Sequence, residues 1–273
     1  MRDIHGIQAA PEKIVVTVAG RQRVGKTALL NSMIQYCQPR GGRLIILNAD
    51  QQNTTHSLST FFPDARVPPS GGSLMDNRAW IETEIARIVR GNCHAVLDAG
   101  GGWTGFSSLA EEVPLYASLE AVGVRLVGLV CCGTEQADLD YLSRILDNGT
   151  FRPDRAAIIL NTGLITSGRS PASAFASVLQ HDAVVSATAQ GARVLIMPAL
   201  SCMAQVTDRG LSFAEAAEGR VKAGQAPMAL FDPVRVREWW TKKMPEFFGK
   251  FPPDWLPIDH SLSTRAGKTE RVR

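Results

Sequence analysis

The feature that most constrains the fold is a glycine-bounded octet, Gly20-Arg21-Gln22-Arg23-Val24-Gly25-Lys26-Thr27. Residues 13–19 (KIVVTVA) precede it and are typical of a buried strand, and residues 26–36 follow it with the pattern of a helix. A strand that runs into a helix through G-x-x-x-x-G-K-T is the context in which this turn binds phosphate. The octet therefore predicts an α/β fold with a phosphate site where the strand ends.

Strands and helices alternate along the rest of the chain, which predicts a doubly wound, mostly parallel β-sheet with helices on both faces. Short β-branched runs predict further strands at 43–47, 95–97, 124–131, 156–160 and 193–197. Apolar spacing predicts helices at 77–90, 108–122, 135–146, 212–222 and 233–244, and Ser170-Pro171 opens another. We expect Pro245 to end the last helix. Residues 1–230 then form one P-loop domain, and residues 231–273 form a basic aromatic helix with a flexible tail.

Composition excludes several classes of protein. Apolar residues make up 45% and charged residues 20% of the chain, which indicates a folded rather than a disordered protein. Apolar runs such as 126–132 fall short of the roughly 20 residues of a spanning helix, and the N-terminus lacks the apolar core of an export signal. We therefore expect a cytoplasmic protein with reduced cysteines, since its five cysteines form no C-x-x-C pair. The five histidines lack zinc-site spacing and are interpreted as structural.

The chemistry of phosphate binding accounts for the residue types in the octet. Glycines let the backbone curl so that successive amides point at phosphate oxygens, and the helix start adds partial positive charge. Lys26 is expected to bridge the β- and γ-phosphates, and the Thr27 hydroxyl to bind Mg²⁺. A nucleoside triphosphate with magnesium is therefore the predicted ligand. Its predicted contacts are Gly20, Arg21, Gln22, Arg23, Val24, Gly25, Lys26, Thr27 and Ala28.

Two carboxylates follow predicted strands, at the sheet edge where the phosphate loop lies. Asp50 comes after the strand at 43–47, and Asp98 comes directly after the strand at 95–97. Either residue could be a strand-terminal cap. Because both accompany a phosphate loop, we interpret them as functional groups of one site.

With these motifs the sequence resembles the ParA/MinD family of deviant Walker ATPases, which are P-loop NTPases of the SIMIBI type. Residues 43–53 look like the family's second motif, and residues 95–102 look like its Walker B strand and switch turn. Residues 196–198 resemble the family's Ile-Pro stretch, and residues 208–210 resemble part of the region that follows it. The likeness spans residues 13–222.

The resemblance implies roles for single positions. Asp50 matches the carboxylate associated with the attacking water and the metal, and Asp98 matches the acid that holds Mg²⁺ through water. Asn161 and the backbone near Pro198 would cradle adenine. Arg21 stands where the family has a signature lysine that reaches across a dimer, so it could act as an arginine finger. The implied catalytic residues are then Lys26, Asp50 and Arg21.

The resemblance also implies a function: a Mg²⁺-dependent ATPase that dimerises with ATP and acts as a switch. The setting would be plasmid or chromosome partition, or plasmid transfer, together with a partner protein. The sequence departs from the family pattern at Arg21, at Gln22-Arg23 in place of two glycines, and at Asn48 in place of an aspartate. Gln51 also replaces a proline. These departures predict slow hydrolysis.

Two alternatives remain open from the sequence. Residues 20–31 also look like the first motif of small GTPases, and Asp98-Ala99-Gly100-Gly101 fits D-x-x-G. Guanine specificity normally needs N-K-x-D, and residues 161–164 (NTGL) lack both the lysine and the aspartate, which favours ATP over GTP. The other alternative is a nucleotide-gated scaffold with negligible hydrolysis.

The C-terminal segment combines basic and aromatic residues. Nine Lys/Arg and five Asp/Glu occur from residue 233 to 273, and Trp239, Trp240, Phe247, Phe248 and Phe251 are interspersed. It could lie on an anionic membrane or contact DNA non-specifically. The interpretation that we favour is that the aromatic side chains pack onto the domain, because aromatic residues at helical spacing are usually core.

Overall fold

The computed structural model describes residues 13–50, 56–100, 105–147, 151–166 and 168–259. In this part of the chain six strands form one sheet: β1 (Lys13–Ala19), β2 (Leu44–Asn48), β3 (His94–Asp98), β4 (Val124–Cys132), β5 (Ala156–Asn161) and β6 (Arg193–Met197). All pairings are parallel, and the strand order is β2-β3-β1-β4-β5-β6. The predicted doubly wound parallel sheet is confirmed.

Helices cover both faces of this sheet, as expected for parallel strands, which are joined by long crossover connections that usually contain a helix. Most of them end close to the boundaries that the sequence predicts. They are α1 (Lys26–Cys37), α2 (Leu58–Phe61), α3 (Leu74–Gly91), α4 (Gly105–Glu112), α5 (Leu115–Ala121), α6 (Gln136–Asp147), α7 (Pro171–Ala174), α8 (Ala176–Leu179), α9 (Asp182–Ala189), α10 (Met203–Thr207), α11 (Phe213–Ala217), α12 (Asp232–Glu238) and α13 (Met244–Phe248).

The central strand β1 is buried on both faces, which is why it reads as a continuous apolar run. Val16 and Val18 pack in one cluster with α1 and the C-terminal aromatic residues. Val15 faces the opposite layer and packs with residues of α3 and α5. A third cluster joins β4 and β5 to α6 and α9. The sheet is therefore held rigidly beneath the loops at its carboxyl edge.

Several helix boundaries differ from the predicted ones for local reasons. The predicted helix at 77–90 starts three residues earlier, because Ser73 and Asp76 form a capping box. The predicted helix at 108–122 is interrupted at Pro114 and forms α4 and α5. The predicted helix at 212–222 ends at Ala217, and Gly219 adopts a left-handed φ of 73° just beyond it.

The prediction that Pro245 ends the last long helix is wrong. A π-helical turn over Trp239–Lys243 follows α12, and the Met244 N–H bonds to the Trp239 carbonyl, five residues back. The helix then continues as α13, with Pro245 in its first turn, where a missing N–H is tolerated. The side chains of Trp239, Phe247, Phe248, Phe251 and Trp255 are buried against the sheet, as the packing interpretation requires.

The remaining sequence predictions concern the membrane, the cysteines and the histidines. No helix in the described ranges is long and apolar enough to cross a membrane. All five cysteines are free thiols. His94 accepts a hydrogen bond from the Ile14 N–H (3.0 Å), and His181 caps α9 by accepting one from Ala183 (3.3 Å), so these two serve the fold. His5 and His260 lie outside the described residues.

Candidate functional site

The sequence-predicted site residues converge at the carboxyl edge of the sheet. Asp98 ends β3, and its register partners are Val18 on β1 and Asn48 on β2. The loop from Gly20 to Gly25 begins directly after β1. Parallel pairing in register therefore brings the octet, Asp98 and the Asp50 region together. Residues 51–53 and 101–102, which complete the two acidic motifs, lie outside the described residues.

The backbone of the octet forms a curled loop that feeds α1. Gly20 has φ 144° and Gly25 has φ 95°, both conformations that side chains strongly disfavour. A Cβ on Gly20 would also lie 2.7 Å from the Cys131 carbonyl oxygen. Gly25 is the N-cap of α1 and supplies no side-chain acceptor to its first amides. A loop of this shape at an uncapped helix start is suited to an anion.

Lys26 lies at the centre of the loop and is only 7% exposed. Its Nζ donates to the Arg21 carbonyl oxygen at 2.7 Å, so the loop curls around the ammonium group. No salt bridge to Lys26 occurs among the described residues. A buried cation whose partner is a neutral carbonyl is positioned to neutralise an anion that enters the loop.

Thr27 and Asp98 form the second element of the site. The Thr27 hydroxyl donates to Asp98 Oδ2 at 2.9 Å, and the Gly100 amide donates to Asp98 Oδ1 at 3.2 Å. Asp98 is fully buried. Burial raises the pKa of Asp98 above its ordinary value, while the bonds from Thr27 and Gly100 oppose that shift, and the nearby charge of Asp50 adds to it. A buried carboxylate of this kind is stabilised when a cation binds beside it.

These oxygens fit a hard divalent cation. Thr27 Oγ1 and Asp98 Oδ2 are adjacent, and Mg²⁺ in nucleotide sites uses one or two protein oxygens with phosphate and water for the rest. The described residues contain no cluster of three or more His, Cys, Asp and Glu that would hold a metal alone. Such a donor set suits a cation that arrives with a phosphate group.

Asp50 lies beside this pair and is half-buried. A Cβ on Gly100 would meet the Asp50 carboxyl carbon at 3.0 Å, which shows how closely the two loops approach. The Asp50 amide donates to Asn48 Oδ1 at 3.3 Å, and Asn48 Nδ2 donates to Ser59 Oγ at 2.8 Å. Asn48 thus fixes the turn that carries Asp50.

The residues expected around the base lie on the next two strands. Asn161 Nδ2 donates to the Val24 carbonyl oxygen at 2.9 Å, which ties the end of β5 to the octet. Asn161 and Met197 are register partners on β5 and β6, so Pro198 follows beside Asn161. The Pro198 carbonyl oxygen accepts from Trp239 Nε1 at 2.9 Å. Asn161 and Pro198 therefore border one region next to the phosphate loop.

Arg21 is engaged by two acidic residues that the sequence analysis did not identify. Its Nη1 lies 2.9 Å from Glu135 Oε2 and 3.2 Å from Asp138 Oδ1. The hydrogen bonds that Arg21 donates to these two carboxylates raise the pKa of Arg21. Asp138 is buried and also accepts from the Gly133 amide at 3.0 Å. The sequence signal for this contact is that both acids stand in the first turn of the predicted helix at 135–146, directly after the predicted strand at 124–131.

Gln22, Arg23 and Ala28 complete the predicted phosphate-binding set. Gln22 and Arg23 are exposed, and Ala28 is half-buried in the first turn of α1. Arg23 has a left-handed φ of 64°, a conformation that favours glycine. The octet therefore keeps the glycine-like backbone shape with an arginine side chain, at a cost of about 1–2 kcal/mol.

Comparisons with known proteins add to this geometry. No protein-family model and no curated protein matches the sequence. The structure is similar to the ATP complex of a McdA variant from Cyanothece, at 14% identity and TM-score 0.47, over 86% of this chain and 97% of that one. It is also similar to a chain of the MinC:MinD cell division complex of Aquifex aeolicus, at 13% identity and TM-score 0.42, over 88% and 98%.

A third similar structure is the signal recognition particle receptor FtsY of Elizabethkingia anophelis in complex with GDP. The identity is 12% and the TM-score 0.43, over 87% of this chain and 66% of that one. With TM-scores below 0.5, these likenesses carry no functional conclusion.

Proposed function

We propose that this chain is a Mg²⁺-dependent, ATP-binding switch protein of the ParA/MinD type that hydrolyses ATP slowly. The observation that carries the proposal is the curled octet closed around the buried Lys26, next to the Thr27–Asp98 pair. A buried ammonium group, an uncapped helix start and a hydroxyl–carboxylate pair are the three groups that a triphosphate with magnesium requires.

Nucleotide binding would replace a contact within the chain. The Lys26 ammonium exchanges the Arg21 carbonyl oxygen for the β- and γ-phosphate oxygens, and the loop amides take the remaining phosphate charge. Thr27 and Asp98 would hold Mg²⁺, Thr27 through its hydroxyl and Asp98 through water. Because Asp98 is buried beside the loop, a cation held there would offset its charge together with that of the phosphates, and nucleotide and metal binding would then be interdependent.

Asp50 and Arg21 are the proposed hydrolytic groups. Asp50 is half-buried beside Gly100, where a carboxylate can orient a water toward the terminal phosphate. Arg21 can stabilise transition-state charge only after it leaves Glu135 and Asp138. Slow basal turnover follows, because one proposed catalytic cation is held away from the phosphates in the same chain.

The base pocket favours ATP. The turn at 161–164 has no lysine and no aspartate to pair with a guanine edge. The Asn161 amide and the backbone near Pro198 offer the polar contacts proposed for adenine. A thermal-shift comparison of ATP and GTP, each with Mg²⁺, tests this choice. Greater stabilisation by GTP would reverse it.

The switch is proposed to act through an ATP-dependent homodimer in which Arg21 reaches the partner's nucleotide. Plasmid or chromosome partition, or plasmid transfer, with a dedicated partner protein, is the proposed setting; this rests on the sequence resemblance. Glu135→Gln removes the exposed partner of Arg21 and leaves the buried Asp138 with its Gly133 contact. Light scattering with a non-hydrolysable ATP analogue should show the dimer at lower protein concentration in Glu135→Gln than in wild type, and none in Arg21→Ala. Identical dimerisation of all three proteins would remove Arg21 from the interface.

The decisive experiment for the phosphate site is ligand-induced stabilisation. Mg²⁺-ATP at 100 times its Kd should stabilise the wild type by about 2.7 kcal/mol. Lys26→Ala should abolish this gain, while Lys242→Ala, an exposed lysine paired with Glu238, should retain it. A gain that persists in Lys26→Ala, or an absence of any gain in wild type at millimolar ATP and Mg²⁺, would contradict the proposal.

Phosphate release separates a slow enzyme from a scaffold that only binds ATP. Asp50→Ala should release phosphate more slowly than wild type and still be stabilised by Mg²⁺-ATP. If wild type and Asp50→Ala release phosphate at the same rate, Asp50 has no part in hydrolysis. The scaffold alternative then replaces the enzyme.

A further inference from the structure

The start of α12 exposes large apolar side chains to solvent. Leu230 is 82% exposed, Phe231 is 63% exposed and Val234 is 56% exposed. Val234 lies three positions after Phe231, so the two side chains project from the same side of the first helical turn. We call these three residues the α12 patch. Single exposed apolar residues are ordinary, whereas several together mark a surface that another molecule covers.

Hydrogen bonds hold the α12 patch in one position. The Arg209 guanidinium donates to the carbonyl oxygens of Ala226 and Pro227, at 3.1 and 3.3 Å, and so ties down the loop that leads to the patch. The Asp232 amide donates to the Ala229 carbonyl oxygen at 2.9 Å, which closes the turn into the helix. A partner that covers the patch therefore does not have to order it first, which lowers the entropic cost of binding.

The chain around the α12 patch is positively charged. Residues 209–237 contain five Lys/Arg and three Asp/Glu, so their net charge is five minus three, or +2. Each of the three acids is already engaged within the chain, in the pairs Glu215–Ser212, Glu218–Arg220 and Asp232–Arg235. The acids of this surface are thus occupied by contacts of its own.

The remaining three cations of the segment have only backbone partners. Arg209, Lys222 and Arg237 form no salt bridge with any acid in the part of the chain that the structure describes. Arg237 Nη2 donates to the Ala217 carbonyl oxygen at 2.8 Å, and Lys222 Nζ donates to the Gly210 carbonyl oxygen. Because a carbonyl group is neutral, these cations remain available to pair with carboxylates of another molecule.

The charge of this surface argues against two of its possible occupants. If two copies of the chain paired patch to patch, cations would face cations, which is unfavourable. A lipid surface is bound by the apolar face of an amphipathic helix, but the apolar face of α12, with Val236 and Trp239, is already buried in the core. Four of the five cations are arginines, whose planar guanidinium matches a carboxylate. Aromatic residues and arginine are also enriched at protein–protein interfaces.

We propose that the α12 patch docks an acidic segment of a partner protein. Apolar side chains of that segment cover Leu230 and Phe231, and its carboxylates pair with Lys222 and Arg237. The surface uses no residue of the phosphate loop. As the place where a switch protein meets its partner it rests on the proposed function, but the docking itself needs no bound nucleotide.

The apolar part of the proposal is tested by Leu230→Ser combined with Phe231→Ser. This variant should bind an acidic peptide about 30-fold more weakly than wild type, as expected when an aromatic anchor at the centre of an interface is lost. Its Tm should be unchanged, because both side chains are exposed. The matched control is Leu74→Ser with Met75→Ser, which changes another adjacent pair of exposed apolar residues at a helix start and should bind like wild type.

The charged part is tested by Lys222→Gln combined with Arg237→Gln. Loss of two exposed ion pairs should weaken peptide binding about fivefold at 50 mM salt and make it less dependent on salt. The matched control is Arg40→Gln with Lys243→Gln, which also removes one exposed arginine and one exposed lysine. Arg40, like Arg237, donates to a backbone carbonyl oxygen. This control should bind the peptide like wild type.

The probe is a library of random 16-residue peptides displayed on phage and selected against the full chain without nucleotide. Enriched peptides are synthesised with a fluorophore, and their Kd is measured by fluorescence anisotropy at 50 and 200 mM salt. We expect them to combine large apolar residues with net negative charge. Stabilisation by Mg²⁺-ATP, measured on the same proteins, should be equal in all of them, so a failure of the proposed ATP site is visible separately.

Several results would overturn the inference. They are the absence of any enriched peptide, enriched peptides without net negative charge, and equal peptide binding by wild type and the Leu230/Phe231 variant. Self-association in light scattering, or flotation with phosphatidylglycerol vesicles, would also overturn it if the Leu230/Phe231 variant lost that property while peptides did not bind. If this double variant does not fold, Val234→Ser decides: weaker peptide binding supports the proposal, and unchanged binding contradicts it.

Discussion

Replacing Gly25 with alanine tests how the phosphate loop is held in shape. Gly25 has φ 95°, and a Cβ there would overlap Asn161 Nδ2. The same Nδ2 donates to the Val24 carbonyl oxygen at 2.9 Å. Gly25→Ala therefore imposes backbone strain and also pushes away the amide that ties β5 to the loop. Gly71→Ala is the matched control, because Gly71 has φ 66° and open space around its Cβ position.

The expected magnitude is the sum of two terms. A left-handed alanine costs about 1–2 kcal/mol. Loss of the Asn161–Val24 hydrogen bond adds about 1 kcal/mol. Gly25→Ala should then lower the free energy of unfolding by about 2–3 kcal/mol, which is about 5–10 °C in Tm. Gly71→Ala should lose only the backbone term.

Urea unfolding of the single and double variants separates the two terms. Asn161→Ala alone should cost about 1 kcal/mol, since it removes the same hydrogen bond. In the Asn161→Ala background, Gly25→Ala should cost about 1 kcal/mol less than in wild type, because the overlap and the bond are already gone. Gly71→Ala should show no such coupling with Asn161→Ala. Additive effects of Gly25→Ala and Asn161→Ala would refute the proposed contact between the loop and Asn161.

Three further predictions concern the loop backbone, the metal site and the thiols. Arg23→Gly should raise the free energy of unfolding by about 0.5 kcal/mol in urea, because relief of left-handed strain exceeds the entropy cost of glycine. A lower free energy of unfolding in the variant would show that the Arg23 side chain itself stabilises the fold. Burial raises the pKa of Asp98, so the charged carboxylate lowers the free energy of unfolding at pH values above that pKa. Asp98→Asn should therefore raise Tm at pH 8, and this gain should shrink as the pH falls toward the ordinary pKa of 3.8. The same variant should lose the Mg²⁺-dependent stabilisation by ATP. Burial raises the pKa of Cys37, Cys131 and Cys132 to about 12, so at pH 8 only the half-exposed Cys93 should react quickly with a thiol reagent before denaturation.

The fold could be predicted because its signals are local. Each strand is a short apolar run, and β1 is one because it is buried on both faces. The glycines at both ends of the octet predict a curled backbone, and in the structure Gly20 and Gly25 both have positive φ. Asp50 and Asp98 could be placed at one edge because parallel strands end together.

The parts that could not be predicted depend on long-range contacts. Arg21 and Glu135 are 114 residues apart, and no local pattern shows that the helix after β4 presents its acids to the phosphate loop. The π-helical turn at Trp239–Lys243 is similar: proline normally ends a helix, but here α12 continues through this turn into α13 while their aromatic side chains pack in the core. In both cases tertiary contacts decide what the local sequence leaves open.

The C-terminal segment therefore contributes to the proposed nucleotide site as well as to the core. Trp239 is buried, and its indole N–H holds the Pro198 carbonyl oxygen at the proposed adenine contact. Thr162, next to Asn161, holds the Met197 carbonyl oxygen at 2.9 Å in the same region. The backbone proposed to contact the base is thus fixed by one side chain from the turn directly after β5 and one from the C-terminal helix. Since α12 and α13 also supply core residues, a perturbation of that helix should reach the base contact before it reaches Lys26, whose hydrogen bond to the Arg21 carbonyl oxygen lies within the phosphate loop.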